Sequence, residues 1–267
     1  MCQFNTFKYT NNSETVKKEL KKVIQNELNP NVSVDCVIFG FDLEKLTVLL
    51  IDRGGNTEDR GPRLALPGNL IYNNENLDQA ANRVLEELTG LKDIYLEQVG
   101  AFGDPNRISK DSDREWLKSI RAEPEARVIT VAYFSLVKMP DYMPQASSFA
   151  KTAGWASVSE INELAFDHFE ILQAAKEKLK QKIKIQPIGF NLLPEKFTLS
   201  QLHRLYESVL EKPLDKRNFR RKIQKLDIVT SLKEKQRGVP HKPSQLFKFN
   251  EEKYQELTQN GFDNFGF

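Results

Sequence analysis

The stretch that most constrains the fold is LDQAANRVLEELTGL, Leu77 to Leu91. Its apolar residues recur at helical spacing from Leu77 to Leu88, and Gly90 fits a helix C-cap. Arg83 and Glu87 stand at i and i+4, the spacing of a side-chain ion pair. The segments around it alternate between strand and helix. VSVDCVIFGFD is β-branched and aromatic, a turn falls at Asp42 to Lys45, and LTVLLIDR completes a hairpin whose second strand ends in Arg53. GGNTEDRGPR is a polar, Gly-rich loop, and LALPGNLI resumes extended chain.

Beyond the helix, YLEQVGAFGD and RVITVAYFSLV read as strands, separated by a charged insertion from Ile108 to Ala126. SDREWLKSIRAE within that insertion reads as a helix. GWASVSEINELAFDH predicts a short strand and a helix, and FEILQAAKEKLKQKI predicts a longer helix. Strands interleaved with helices in this order imply an α/β domain with a mixed sheet flanked by helices, over residues 31–182. Before it, SETVKKELKKVIQNEL (Ser13 to Leu28) reads as an amphipathic helix that Asn29-Pro30 ends, giving a helical segment over residues 1–30.

Charge is distributed unevenly. The whole chain carries +2, yet Gln181 to Asn250 holds 16 Lys or Arg against 6 Asp or Glu. That balance of +10 leaves −8 on the rest and suggests a polyanionic partner for the basic part. A second unit, residues 187–255, starts with TLSQLHRLYESVL, an amphipathic helix with Thr198 as N-cap. LDKRNFRRKIQKLDIV follows as a second helix with Asp215 as N-cap. VTSLKEKQRGVPHKPSQLFKF then reads as a β-hairpin with a basic Gly/Pro tip. The sequence thus predicts a C-terminal winged helix-turn-helix.

On the second helix, Phe219, Ile223 and Leu226 form the apolar stripe, while Lys216, Arg217, Arg220 and Arg221 crowd the other faces. Such a helix repels itself unless a phosphate backbone relieves the charge. Arg217, Asn218 and Arg221 are the candidates for base contacts, because Arg suits guanine and Asn suits adenine in the major groove. Lys222 and Lys225 are candidates for phosphate contacts. Arg237, His241 and Lys242 at the hairpin tip would reach the minor groove or the backbone. The composition, 39% hydrophobic and 28% charged, is ordinary for a globular chain. No apolar run approaches the roughly 20 residues needed to span a bilayer, so no membrane partner is expected. The N-terminus lacks a signal peptide, and Cys2 and Cys36 have no metal-ligand spacing. A cytoplasmic protein without cofactors is expected.

RVLEELTGL, with LPG before it, resembles the second half of a Nudix box. Anchored on Gly90 and Leu91, the pattern maps onto Asn69, Glu75, Arg83, Val84, Leu85, Glu86, Glu87 and Leu88. Of the three box positions whose carboxylates hold Mg²⁺ in the hydrolases, Val84, Glu87 and Leu88, only Glu87 is acidic. The resemblance therefore implies a Nudix-like domain with no catalytic residues and no metal ligands. Its cleft would keep Arg53, Glu75, Arg83, Glu87, Phe102, Asp104 and Arg107 as ligand-binding residues, with Asp104 accepting from ligand hydroxyls and Arg107 holding an anion.

RVLEELTGL, EQVGAFG, PIGFNLLPEKFTLSQLHRLYE and KRNFRRKI together resemble the NrtR-like family of Nudix-related transcription regulators. Within it, the likeness leans to the Bacteroidetes AraR-type relatives that respond to pentoses such as arabinose. The resemblance implies a homodimer on palindromic double-stranded operator DNA, and a small-molecule effector: a pentose, a sugar phosphate or an ADP-ribose-like metabolite. The alternative is an active hydrolase of ADP-ribose or a related diphosphate, with Glu75, Glu86 and Glu87 forming an unusual metal site and the basic unit an accessory domain.

Overall fold

The computed structural model describes residues 28–54, 62–139, 144–145, 150–238, 240 and 242–260. The expected helix from Ser13 lies outside these residues except for Leu28, which is already extended. Strand β1 (Leu28–Phe41) is long enough to serve three neighbours. Its first part pairs antiparallel with β4 (Gly68–Tyr72), Leu28 opposite Tyr72, and its last residues pair antiparallel with β2 (Leu46–Asp52). Its other edge runs parallel to β6 (Ile129–Leu136). Asn29-Pro30 was expected to end a helix and instead lies within this strand. Proline has no N–H for the ladder, and the register breaks between Leu28 and Ser33, which spans it.

Beyond β2 lie β3 (Leu64–Ala65) and β7 (Thr152–Ser157), and beyond β6 lies β5 (Glu97–Phe102), completing a mixed seven-stranded sheet. Period-two alternation divides its side chains between two cores. Val34, Cys36, Ile38, Leu49 and Ile51 pack under α1 (Leu77–Thr89). Val37, Phe39, Phe41, Val48 and Leu50 pack on the other face against α3 (His168–Ile185). Helix α1 starts on a capping box between Asn76 and Gln79 and stops at Gly90, whose φ of 74° suits glycine.

The insertion folds as α2 (Asp111–Ile120). The helix expected after β7 shrinks to a single 3₁₀ turn, Val158–Glu160. Downstream backbone donors are used elsewhere: Ala165 N–H donates to Leu64 C=O, and Phe166 N–H donates to Asp113 Oδ2. Those donors are then missing from any helical ladder.

The basic unit has α4 (Leu199–Leu210), α5 (Lys216–Leu226), a hairpin of β8 (Val229–Lys235) and β9 (Gln245–Phe249), and α6 (Glu251–Asn260). Thr198 accepts from Gln201 N–H, and Asp215 accepts from Asn218 N–H, so both expected N-caps form. Phe197 exchanges two backbone hydrogen bonds with Phe247, adding a short third strand to the wing. This is the expected class: a mixed α/β sheet with flanking helices, then a winged helix.

The core under α3 does not stop at the end of that helix. It continues through Phe190, Leu192 and Leu193 into Leu202, Leu205, Tyr206, Phe219 and Ile223. Polar bonds follow the same route. Leu46 N–H donates to Ser208 Oγ at 2.9 Å, and Lys176 and Lys180 hold Glu211 at 3.0 and 2.7 Å. No helix among the described residues is long and apolar enough to cross a membrane.

Candidate functional site

The box helix turns its two non-acidic positions inward. Val84 and Leu88 are buried in the core between α1 and the sheet. The surviving acids are engaged by cations. Arg83 clamps Glu75 through Nε (2.9 Å) and Nη2 (2.6 Å), reaches Glu87 through Nη1 (2.9 Å), and lies over the Tyr72 ring at 4.2 Å. Burial pushes the Glu75 carboxyl up, but the Arg83 bonds and the Tyr72 N–H outweigh it and leave the carboxyl below its usual range. Glu86 points to Lys92 at 2.6 Å. Among the described residues, no group of three or more His, Cys, Asp or Glu is placed to hold a metal ion. Mg²⁺ needs several hard oxygen ligands at octahedral angles, so this donor set does not fit it.

A cavity is lined by Asp35, Arg53, Asn69, Arg107, Trp116, Arg121, Phe166 and His168, with Ile51, Leu66 and Gly68 among its walls. Gly68, from the LPG segment, is required here, since a Cβ would meet Asp35 Oδ1 at 1.8 Å. Arg107 is buried and forks onto Asp167, Nε to Oδ2 at 2.9 Å and Nη2 to Oδ1 at 2.7 Å, with Asp35 3.6 Å away. Asp35 also accepts from Thr130 Oγ1 at 2.6 Å. His168 accepts Leu66 N–H on Nδ1 at 2.9 Å, which leaves the proton on Nε2, 3.4 Å from Asp35 Oδ1.

Helix α2 and the residue after it supply one wall of this cavity through Trp116, Ile120 and Arg121. Asp113, Trp116, Leu117, Ile120 and the following Arg121 fall at i, i+3, i+4, i+7 and i+8, one face of a helix. Asp113 reaches Arg53 Nη2 at 2.9 Å, and Trp116 Nε1–H donates to the Arg53 carbonyl at 3.1 Å. The Arg53 guanidinium sits 4.9 Å from the Trp116 ring centre and 4.7 Å from that of Phe166. The insertion, read from the sequence as a charged stretch holding a helix, therefore covers the cavity as a lid.

Of the seven ligand candidates read from the sequence, Arg53 and Arg107 line this cavity and the other five lie elsewhere. Phe102 packs against the larger core and is not a wall of this cavity. Asp104 is exposed, accepts the Asn106 N–H in its own turn, and borders a separate pocket with Arg114 and Arg127. Glu75, Arg83 and Glu87 form their own cluster outside the cavity walls. Sequence reasoning missed Asp35, Asp113, Trp116, Arg121, Asp167 and His168. The one available signal was an aspartate and an arginine in line with the apolar stripe of the insertion helix.

The second candidate surface is α5. Phe219 and Ile223 are buried against α4, with Phe219 edge-on to His203 and Tyr206 at 5.0 and 5.4 Å. Lys216, Arg217, Asn218, Arg220, Arg221 and Lys225 are exposed together. Arg221 Nη2 donates to Asn218 Oδ1 at 2.9 Å, so two of the base-contact candidates orient each other. Lys222 is half-buried, and burial lowers its pKa. Arg237 and Lys242 are exposed on the wing, while His241 lies outside the described residues.

A Nudix-like sheet with a covered polar cavity, joined through a common core to a winged helix with a cationic face, defines a two-domain molecule of the Nudix and winged-helix class. Residues 29–175 match the NUDIX domain model, and residues 189–249 match the NrtR DNA-binding winged helix domain. The ADPR responsive transcriptional repressor NtrR of Acinetobacter baylyi is 30% identical over 83% of this chain and 82% of its own. Shewanella oneidensis NrtR, solved in complex with a 27mer DNA, superposes with a TM-score of 0.61 at 25% identity, covering 84% of this chain and 95% of that one. An ADP-ribose pyrophosphatase of Methanocaldococcus jannaschii is 26% identical over 63% of this chain and 86% of its own. The chain belongs to the NrtR family, a NUDIX domain followed by an NrtR-type winged helix.

Proposed function

We propose that this protein is a cytoplasmic, ligand-responsive transcription regulator that works as a homodimer on palindromic operator DNA. A small metabolite of the sugar, sugar phosphate or ADP-ribose class occupies the lidded cavity and changes the affinity of the winged helices for DNA. The relatives from Acinetobacter and Shewanella support the DNA-binding and ADP-ribose-type parts of this reading. The finer kinship with pentose-responsive members rests on the sequence segments named above.

One observation carries the coupling. Helix α3 begins inside the cavity, where Asp167 holds Arg107 and His168 faces Asp35, and its far half shares a core with α4. A ligand that redistributes those charges acts directly on a helix that carries the reading domain. A ligand shifts such an equilibrium only by binding its two states unequally, so a stiff connection is what the function needs. Two reading helices of a dimer must enter successive major grooves roughly 34 Å apart, and a small tilt of α3 would change that spacing.

Hydrolysis has less support. Glu75 and Glu87 are bonded to Arg83, Glu86 to Lys92, and two box positions are core hydrocarbons. The test is a mobility shift with the full chain on a duplex selected by it in vitro, with and without ADP-ribose, ribose 5-phosphate and arabinose, alongside an assay of AMP release from ADP-ribose with Mg²⁺. A ligand-sensitive shift without AMP release supports the reading. Turnover in the ordinary enzyme range of about 1–10³ s⁻¹ contradicts it.

A further inference from the structure

We infer that the insertion lid carries an anion anchor, Arg121, and that the cavity takes the phosphate group of a phosphorylated sugar; the inference rests on the ligand-responsive reading above. Among the described residues, every charged side chain lining the cavity but one has an oppositely charged side chain within 4 Å. Arg53 has Asp113, Arg107 has Asp167, and Asp35 is shared among Arg107, His168 and Thr130. Arg121 lines the same cavity just past the end of the lid helix, yet its side chain donates no hydrogen bond among the described residues, and its Nε is sealed from solvent. Burial lowers its pKa to about 10, with Arg107 adding to the shift and Asp35 opposing it.

A guanidinium is a five-donor fork, and in this half-buried one the sealed Nε–H has no acceptor. Its backbone is held, N–H to Leu117 C=O at 2.8 Å, on a helix that Asp113 and Trp116 fasten to the sheet domain. The fork is therefore kept in place without a partner of its own. What satisfies it is a group with several acceptor oxygens and negative charge, and a phosphate matches that geometry through two parallel N–H···O bonds. Asp35 and Asn69 beside it supply acceptors and a donor for sugar hydroxyls, and Trp116 supplies an apolar face. The phosphate could belong to a simple sugar phosphate or to the diphosphate of ADP-ribose.

Calorimetry on the full-length protein with ribose 5-phosphate, ADP-ribose, ribose and inorganic phosphate separates these sources. At least one phosphate-bearing sugar should bind, and more tightly than ribose does. Arg121→Met should weaken that ligand at least tenfold, while Lys118→Gln, which removes one positive charge from the exposed face of the same helix, should leave affinity unchanged. Because Arg121 is unpartnered without ligand, Arg121→Met should also melt at or above the wild-type temperature when ligand-free. Unchanged affinity in Arg121→Met, a lower melting temperature, failure of that variant to fold, or ribose binding as tightly as its phosphate would overturn the inference. Silence from every phosphate compound with DNA still bound overturns the anchor and leaves the regulator standing. Arg121-dependent binding in a protein that ignores DNA does the reverse.

Discussion

Asp113 Oδ1 lies 2.9 Å from Arg53 Nη2, with 0% and 5% of the two side chains exposed, and this ion pair ties the lid helix to the end of strand β2. Taking away one partner of a buried ion pair leaves the other charge desolvated and uncompensated, at a cost of about 3–5 kcal/mol. Asp113→Ala should therefore destabilise the protein by about that amount in urea unfolding at neutral pH. Arg53→Met with Asp113→Leu should recover most of the loss, because no stranded charge remains. A double variant as unstable as the single one would show that lid packing, and not charge, is decisive.

Asp167 sits at the head of α3 and forks with Arg107, 60 residues away in sequence. Asp167→Asn keeps the shape and removes the charge that a ligand in the cavity would sense. DNA affinity without ligand should change little, while the coupling between ligand and DNA, typically 1–3 kcal/mol in allosteric proteins, should fall towards zero. Fluorescence anisotropy on a labelled operator with and without ligand reads both quantities. Full coupling in the variant would move the relay elsewhere.

His168 gives a pH signature. Burial lowers its pKa from the ordinary 6.5, Arg107 and Arg53 act in the same direction, and Asp35 and Asp167 oppose them. The unfolded chain protonates it near 6.5 and the folded one does so only at lower pH. Below about 6.5 the unfolded state thus binds the extra proton, and stability falls with falling pH by up to ~1.4 kcal/mol per unit until the folded histidine titrates. Above 6.5 this residue contributes no slope. His168→Gln keeps an acceptor for Leu66 N–H and should flatten the wild-type slope between pH 6.5 and 5.5. Identical slopes in urea melts of the two proteins would rule His168 out as the source.

What could be read from the sequence was local. The limits of α1, its Gly90 stop, the Arg83–Glu87 pair and the caps at Thr198 and Asp215 all depend on spacings of four residues or fewer, where helix geometry decides which groups meet. The cationic face of α5 was legible for the same reason. The cavity was not. Arg53–Asp113 and Arg107–Asp167 join residues 60 apart, and only the folded sheet brings them together. Phe102 follows strand periodicity, but its side of the sheet is the one that α3 covers, so it packs away from the lid. The reduced helix after β7 failed for a similar reason: its backbone donors serve tertiary bonds that no local pattern announces.

On the DNA side, Arg217→Ala or Arg221→Ala should cost about 1–3 kcal/mol of discrimination between operator and unrelated duplex. Arg221→Ala also leaves Asn218 without its partner, so its effect should spread to neighbouring base positions. Lys242→Ala on the wing should weaken all duplexes alike and reduce the salt slope by about 0.9. If both kinds of variant bind as wild type does, α5 is not the reading helix.

The most direct test is a titration of the full-length protein with its selected operator at fixed salt, repeated at saturating ribose 5-phosphate and at saturating ADP-ribose. A cavity joined through α3 to the winged helices predicts that one of these ligands changes operator affinity by fivefold or more, and that Asp167→Asn abolishes the change. Operator affinity indifferent to both ligands, with calorimetry showing the cavity filled, would mean that sensor and reader are not connected.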